Sequence, residues 1–409
     1  MKKINKLIFI LILLVIGIIN VNAKDTVYSI NKYKESKFSF IEKAYNEKLK
    51  EDGYLLGGTF LKERENEDEE EAFDSQVIIV KYNKHDQISW KYTYGEENDD
   101  YLNCLTYSYD DEENINGYLL VVSNKIIKVD LEGKLIEEKE INEGNISKII
   151  PTYENNLVNG YISIVNNSLI KYSINFEVIW RRDFEELKDL TLIKENESII
   201  GYSIIKGNEL IKLDSNGNND IVLDDISKYY TSHLEESSDG FILYGLTDEV
   251  KLKNSDYSYY LINYKSNLEK EEIIGDTPIN EEYNIRVLLK DKEIFILYKN
   301  DSDKSYEIIK IDKDSLEKTK VKKINNNYYD FENFYTNGKT IYLIGQINCP
   351  EDEKCEYDNR SLYLVSDEDK VIEVKETEST GIIIVICALF ILTGLYIFIR
   401  RKRKMSKRM

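Results

Sequence analysis

Two histidines and four cysteines are the side chains of this 409-residue chain best suited to ligating metal or acting as nucleophiles, and their spacing supports little of either. His85 sits in a turn, Asn83-Lys84-His85-Asp86, and His233 lies far along the chain in a strand-like run. No metal-ligand spacing joins them and no nucleophile is flagged beside either, so both read as ordinary turn and strand residues. Cys104 falls in a strand-like run and reads as a small buried hydrophobe. Cys349 and Cys355 flank five residues of a polar insertion, where a local disulfide is expected in an oxidising compartment. Cys387 lies in a long apolar run. Asp214-Ser215-Asn216-Gly217-Asn218-Asn219-Asp220 has the flavour of a calcium loop, but Asn219 stands where an EF-hand needs glycine, so a hairpin turn is the better reading. No acid pair for glycoside hydrolysis stands out among 75 carboxylates. The motifs therefore assign no catalytic, cofactor or metal residues.

The two ends of the chain carry targeting signals. Residues 1–23 combine Lys2, Lys3 and Lys6, an apolar stretch from Leu7 to Ile19, and small or apolar residues before a cut after Ala23, the pattern of a cleavable secretory signal. An uncleaved anchor is the rival reading. Residues 381–399 are uncharged and apolar, and as a helix they would reach roughly 28 Å, enough to cross a bilayer. A polar linker, 377–380, precedes them. The basic tail 400–409 follows and holds the C-terminus in the cytoplasm. The expected placement is a single-pass protein of the cytoplasmic membrane with its N-terminus and residues 24–376 outside. Removing the three lysines of the signal and the seven basic residues of the tail leaves 45 Lys and Arg against 75 Asp and Glu, a formal charge of −30. That balance excludes nucleic acid as a partner and suits cationic ones.

Between the ends the chain repeats. Gly117-Tyr118-Leu119-Leu120 leads to Ile126-Ile127-Lys128-Val129-Asp130. Gly160-Tyr161-Ile162-Ser163 leads to Leu169-Ile170-Lys171-Tyr172-Ser173, and Gly201-Tyr202-Ser203-Ile204 to Leu210-Ile211-Lys212-Leu213-Asp214. Looser copies begin at Tyr54, Phe241, Phe295 and Tyr342, with Trp90 and Trp180 at equivalent places in two units. Each unit is four short runs rich in Val, Ile, Tyr and Phe, including Ile88–Tyr94 and, at the end of the last unit, Val371–Lys375. A unit of about 48 residues with four strands is a propeller blade. The fold class is all-β: a β-propeller of about seven blades, plus one C-terminal transmembrane helix. An array of β-sandwiches is the structural rival. Residues 25–37 supply either a strand that closes the ring or a linker.

The unit containing Gly53-Tyr54-Leu55-Leu56-Gly57-Gly58, Val80-Lys81-Tyr82-Asn83 and Ile88-Ser89-Trp90 resembles repeats of bacterial secreted β-propellers, the quinoprotein-like and WD40-like superfamily. The resemblance implies a secreted binding or enzymatic propeller. The adjacent-cysteine pair typical of quinoprotein dehydrogenases is missing, so no quinone is expected.

The connection between the second and third runs is short in units two to four and enlarged in the others. The enlarged ones are expected to form one acidic lobe, with Glu67, Asp68, Glu69, Glu70, Glu71, Tyr257, Asp301, Asp303, Glu351, Asp352 and Tyr357 as candidate binding residues. Solvated surface loops are the bland alternative. The expected function is a non-enzymatic binding or assembly scaffold at the cell surface, with a protein or glycan partner and, at the acidic loops, a divalent cation. The alternative is an envelope-glycan hydrolase or lyase that uses the propeller funnel, which would need carboxylates or histidine converging on the first strands of several blades.

Overall fold

The computed structural model describes residues 26–29, 36–63, 73–95, 99–154, 157–195, 198–249, 257–279, 285–290, 292–300, 302–313, 315–324, 329–336, 340–347 and 360–367. The chain divides into two compact units, Met1–Ile372 and Glu373–Met409, and the second lies outside the described residues. So do the signal segment, the apolar run 381–399 and the Cys349–Cys355 loop. Among the described residues no helix is long and apolar enough to cross a membrane.

The described strands pair into seven four-stranded antiparallel sheets. Six use consecutive strands. Sheet 1 is β2 (Lys37–Tyr45), β3 (Glu51–Glu63), β4 (Phe73–Tyr82) and β5 (Ile88–Tyr94); β1 (Thr26–Ser29) belongs elsewhere. Sheet 2 is β6 (Leu102–Tyr109), β7 (Ile115–Val122), β8 (Lys125–Asp130) and β9 (Leu135–Glu140). Sheet 3 is β10 (Ile146–Glu154), β11 (Leu157–Val165), β12 (Ser168–Tyr172) and β13 (Val178–Asp183). Sheet 4 is β14 (Leu187–Glu195), β15 (Ser198–Lys206), β16 (Glu209–Asp214) and β17 (Ile221–Asp225). Sheet 5 is β18 (His233–Glu236), β19 (Phe241–Thr247), β20 (Ser258–Tyr264) and β21 (Lys270–Ile274). Sheet 6 is β22 (Arg286–Lys290), β23 (Glu293–Lys299), β24 (Tyr306–Asp312) and β25 (Lys318–Ile324). The last sheet is composite: β26 (Tyr329–Thr336), β27 (Thr340–Ile347) and β28 (Arg360–Asp367) are completed by β1, with Thr26 opposite Val365 and Ser29 opposite Leu362. The outer strand of this sheet is thus supplied by the beginning of the chain. This corrects the assignment of Val371–Lys375, residues outside the described set, as that strand, and it resolves residues 25–37 as carrying a closing strand.

First strands pack against first strands in an unbroken cycle, β2–β6–β10–β14–β18–β22–β26 and back to β2. That cycle makes the fold a β-propeller, with each first strand lining the centre. Second and third strands are buried on both faces, and their Val, Ile, Leu and Tyr side chains form separate clusters between neighbouring sheets. Tyr54, Tyr118, Tyr161, Tyr202 and Phe241 occupy one register position and all face the preceding sheet. Phe295 and Tyr342 are buried too, but the pairing of Lys310 with Phe295 and of Asn333 with Ile344 puts them one residue out of that register. A one-residue step turns a side chain to the opposite face. Tyr342 accordingly packs on Tyr54 of sheet 1, ring centroids 4.1 Å apart.

The repeated lysine has a structural role. Lys81 and Lys128 are buried on the third strand and donate to the Tyr45 and Tyr109 carbonyls at the ends of their first strands, at 2.7 and 3.2 Å. Lys171 donates instead to Thr152 and Asn159, and burial lowers its pKa to about 8. The third-to-fourth turns share a side-chain device as well: Asn83, Asp130, Ser173 and Asp214 each accept the backbone N–H groups two and four residues on. Asp214–Asp220 is therefore one of a series of hairpin turns.

Candidate binding site in the central channel

The first strands of five sheets carry a bulge at the same place, before Phe40, Cys104, Lys148, Asp189 and Asn333. A bulge adds a residue on one strand and re-aims the side chains beside it. With His233 and Arg286 at the matching positions of sheets 5 and 6, these residues form a layer around the channel. Six of its seven members are polar or ionisable, and they come from six consecutive sheets.

Most of this layer bonds from sheet to sheet. Asn103, the bulge residue itself, donates to the Ile146 carbonyl at 2.9 Å, and the Cys104 thiol to the Ile149 carbonyl at 3.6 Å. Lys148 Nζ is 2.7 Å from Asp189 Oδ1, and Asp189 Oδ2 accepts the Leu234 N–H at 2.8 Å. Arg286 Nε donates to the Glu332 carbonyl at 2.9 Å, and Asn333 Nδ2 to the Ser39 carbonyl at 3.4 Å. His233 Nδ1 lies 4.0 Å from Asp189 Oδ2. Burial lowers the His233 pKa, Asp189 opposes this, and Arg286 and Lys148 reinforce it, so the imidazole is neutral at pH 7. Burial raises the Cys104 pKa and keeps it a thiol. For Lys148 burial acts against the charge, yet Asp189 outweighs it and the ammonium is held above its usual range.

Two residues along each strand lies a second layer: Glu42, Thr106, Ile150, Thr191, Glu235, Leu288 and Tyr335. Its two carboxylates belong to sheets 1 and 5, which are not neighbours. Each is nevertheless pushed up to about 7, chiefly by burial. For Glu42 the next cause is the charge of Glu235; for Glu235, Lys148 acts in the opposite direction. Both stand two residues on from first-layer members, Phe40 and His233, on strands that line the centre. The Tyr107 hydroxyl sits beside Glu42 and donates to the Lys43 carbonyl at 3.2 Å. Among the described residues neither glutamate has a lysine or arginine within ion-pair distance.

Of the residues expected in an acidic lobe, Glu67, Asp68, Glu69, Glu70, Glu71, Asp301, Glu351, Asp352 and Tyr357 lie outside the described set. Asp303 is tied into its own sheet, accepting from Ser305 and from Lys323. Tyr257 bridges to Ile279 and packs on Tyr230 at 4.5 Å. His85 is exposed in its turn, as expected. His233, read as an ordinary strand residue, is a channel residue, and so is Cys104.

Trp90 and Trp180 pack between sheets. Each covers the glycine of the following sheet's turn so closely that a Cβ on Gly133 or Gly217 would come within 2.5 or 2.6 Å of the indole. Trp90 Nε1 also donates to the Leu131 carbonyl at 3.0 Å.

No family model matches the chain, and no curated protein matches it. Among solved structures, the WD40 domain of Neurospora crassa Pan2 is similar in fold, with a TM-score of 0.53 at 11% identity, over 88% of this chain and 99% of that one. Sqt1 from Chaetomium thermophilum gives 0.49 at 10% identity over 78% and 82%. A Bacteroides caccae protein described as of unknown function gives 0.35 at 11% over 58% and 86%. Likeness at this level identifies the fold alone, that of a WD40-type β-propeller.

Proposed function

We propose that this protein is a non-enzymatic recognition scaffold, an acidic β-propeller held at the outer face of the cytoplasmic membrane by residues 381–399, with residues 1–23 removed on export and 400–409 inside. On this reading its kin are the bacterial secreted propellers that its first repeat unit resembles, and its partner is a protein or glycan of the envelope. The observation that carries the reading is the closed cycle of first strands, whose polar side chains are used mainly to bond one sheet to the next. A rigid ring that presents loops on its faces is suited to holding a partner in place.

The test is in-cell crosslinking of the full-length protein, with fractionation of the same cells. The reading expects the protein in alkali-resistant membrane fractions, an ectodomain open to external protease, and crosslinks from the ring to a defined protein or glycan. Recovery in the soluble cytoplasm would overturn the placement. A folded, exposed ectodomain that captures nothing would overturn the scaffold role.

A second reading is favoured by the channel: a hydrolase or lyase acting on envelope glycans. Glu42 and Glu235 hold protons near pH 7, as a general acid must. It predicts that purified protein releases fragments from peptidoglycan and that Glu42→Gln or Glu235→Gln lowers the rate at least a hundredfold. Equal rates in wild type and both variants would remove it.

A further inference from the structure

Trp90 and Trp180 stand at equivalent places on the outer strands of sheets 1 and 3, but the seams they enter differ. Trp90 lays Cε3 and Cδ2 along Gly133, and its Nε1 donates to the Leu131 carbonyl at 3.0 Å. Tyr92, Tyr94 and Leu131 pack on the same cluster, so that seam is closed by apolar groups. Trp180 is turned the other way. Cη2 and Cζ3, at the far edge of its six-membered ring, meet Gly217. Its Nε1–H has no acceptor among the described residues and is not sealed from solvent. Where sheet 1 has Tyr92, sheet 3 has Arg182; where sheet 2 has Leu135 and Ile136, sheet 4 has Asn219 and Asp220. At this polar seam lies a cleft of about 510 Å³, lined by Trp180, Arg182, Asn216, Asn218 and Asp220 among others. That volume is in the range of small-molecule sites. Arg182 and Asp220 form a two-pronged pair, both contacts 2.6 Å, and Arg182 Nη1 also donates to the Gly217 carbonyl at 2.8 Å. The guanidinium keeps N–H donors, and the carboxylate lone pairs, that this pairing does not use. Neighbouring Arg181 is paired with Asp183, and Asp214 spends its carboxylate on the N–H groups of its own turn. Charge is therefore balanced within the cleft.

We propose that the cleft between sheets 3 and 4 binds one neutral hexose unit of a glycan, held by the Trp180 indole and the Arg182–Asp220 pair. The inference rests on the recognition reading and chooses the glycan from its two partner classes. Adjacent hydroxyls of a sugar each donate and accept, and a guanidinium–carboxylate pair offers donors and acceptors side by side. The indole adds an N–H that lacks a partner and an apolar ring for the C–H groups of the sugar. Balanced charge gives an ionic ligand no net attraction there. A peptide fits less well: among the described residues lining the cleft, Trp180 is the one apolar side chain, so an apolar anchor residue has no pocket to fill.

The experiment is calorimetry and tryptophan fluorescence on the full-length protein in a sugar-free detergent. The probes are neutral tetrasaccharides of N-acetylglucosamine, glucose, galactose and mannose, an acidic tetrasaccharide of hyaluronan, and a capped tetraalanine. At least one neutral tetrasaccharide is expected to bind, about tenfold or more tighter than the acidic one and the peptide. Trp90→Phe leaves Trp180 as the one tryptophan of the chain. That variant should bind as wild type does, and its emission should shift on binding. Trp180→Phe keeps an aromatic ring and loses the N–H; Arg182→Gln/Asp220→Asn keeps polar groups of similar size. Each should lower affinity about tenfold or more while its melting temperature shows a folded protein. The proposal is overturned if no neutral probe binds at up to about 10 mM, or if the acidic probe or the peptide binds as tightly. It is also overturned if binding leaves the Trp180 emission unchanged, or if either folded cleft variant binds as wild type does. Protein crosslinks in cells from a chain that binds no tetrasaccharide would leave the recognition reading standing and remove the cleft from it.

Discussion

Asp189 shows how a single side chain can tie three sheets together. Its carboxylate accepts from Lys148 of sheet 3, from the Leu190 N–H of its own strand, and from the Leu234 N–H of sheet 5. Asp189→Ala would strand a buried N–H and leave the Lys148 ammonium without its partner. We expect a loss of about 2–3 kcal/mol in urea unfolding, below the cost of a fully buried pair because water reaches Lys148 through the channel. Glu42 and Glu235 act in the opposite sense. Each has a folded pKa near 7 against an ordinary 4.5, so the folded state binds more protons than the unfolded one between those values. Their contribution favours folding at low pH and is lost as pH rises from about 4.5 to about 7. Glu42→Gln/Glu235→Gln should flatten the dependence of melting temperature on pH across that window and be the more stable protein above it. An unchanged pH profile would mean that the two carboxyls titrate normally.

At the scale of elements, the two tryptophans follow a rule. Trp90 is opposite Lys81 and Trp180 opposite Lys171 on their outer strands, and in each case the next sheet's turn has glycine at the left-handed position, Gly133 with φ 80° and Gly217 with φ 75°. Where Glu137 and Glu271 hold the tryptophan's place, the next turn has Phe176 or Leu316 in the same left-handed conformation. Phe176 is buried and stacks on Tyr161 at 4.9 Å. At that seam Phe176 fills from the following sheet the space that a tryptophan fills elsewhere, whereas Leu316 stays exposed. Gly133→Ala should cost about 1–2 kcal/mol through backbone strain and overlap with the indole. Combined with Trp90→Ala it should cost less than the sum of the two, by about 0.5 kcal/mol or more in a double-mutant cycle. Strict additivity would show that the two do not touch in solution.

The same contrast explains what could be read from the sequence. The Gly-Tyr and Ile-Ile-Lys register was visible in Tyr118, Tyr161 and Tyr202, because second and third strands are joined by tight turns and buried on both faces, so that packing holds residue type and spacing together. The channel was not visible. Its first layer holds Phe40, Cys104, Lys148, Asp189, His233, Arg286 and Asn333, one register position filled by seven residue types, on strands that are bulged or short. Nothing repeats there except position. Aligning each first strand on its hairpin partner would have brought His233 and Asp189 together. Residue type alone aligns Phe295 and Tyr342 with the other units, and the slip of one residue in sheet 6 and in the composite sheet leaves no mark in the sequence because apolar residues stand on both sides of it.

For the whole molecule, the ring depends on a join between the two ends of the propeller. The β1 strand contributes four residue pairs to the composite sheet. Deleting residues 24–35 should lower the melting temperature by roughly 5 °C or more and leave the outer edge of β28 open to pairing with other chains. Size-exclusion chromatography with scanning calorimetry would check both, and a monomer with wild-type melting would show that the join is dispensable. The order of synthesis also matters. The β1 strand is among the first parts of the propeller to be made, and its partner β28 comes last, about 330 residues later. At ordinary translation rates of roughly 5–20 residues per second, the segment waits some tens of seconds before its only described strand partner exists. For that interval the chain is an open arc with one end unclaimed, a time window in which a chaperone, a protease or a neighbouring nascent chain can compete for the strand.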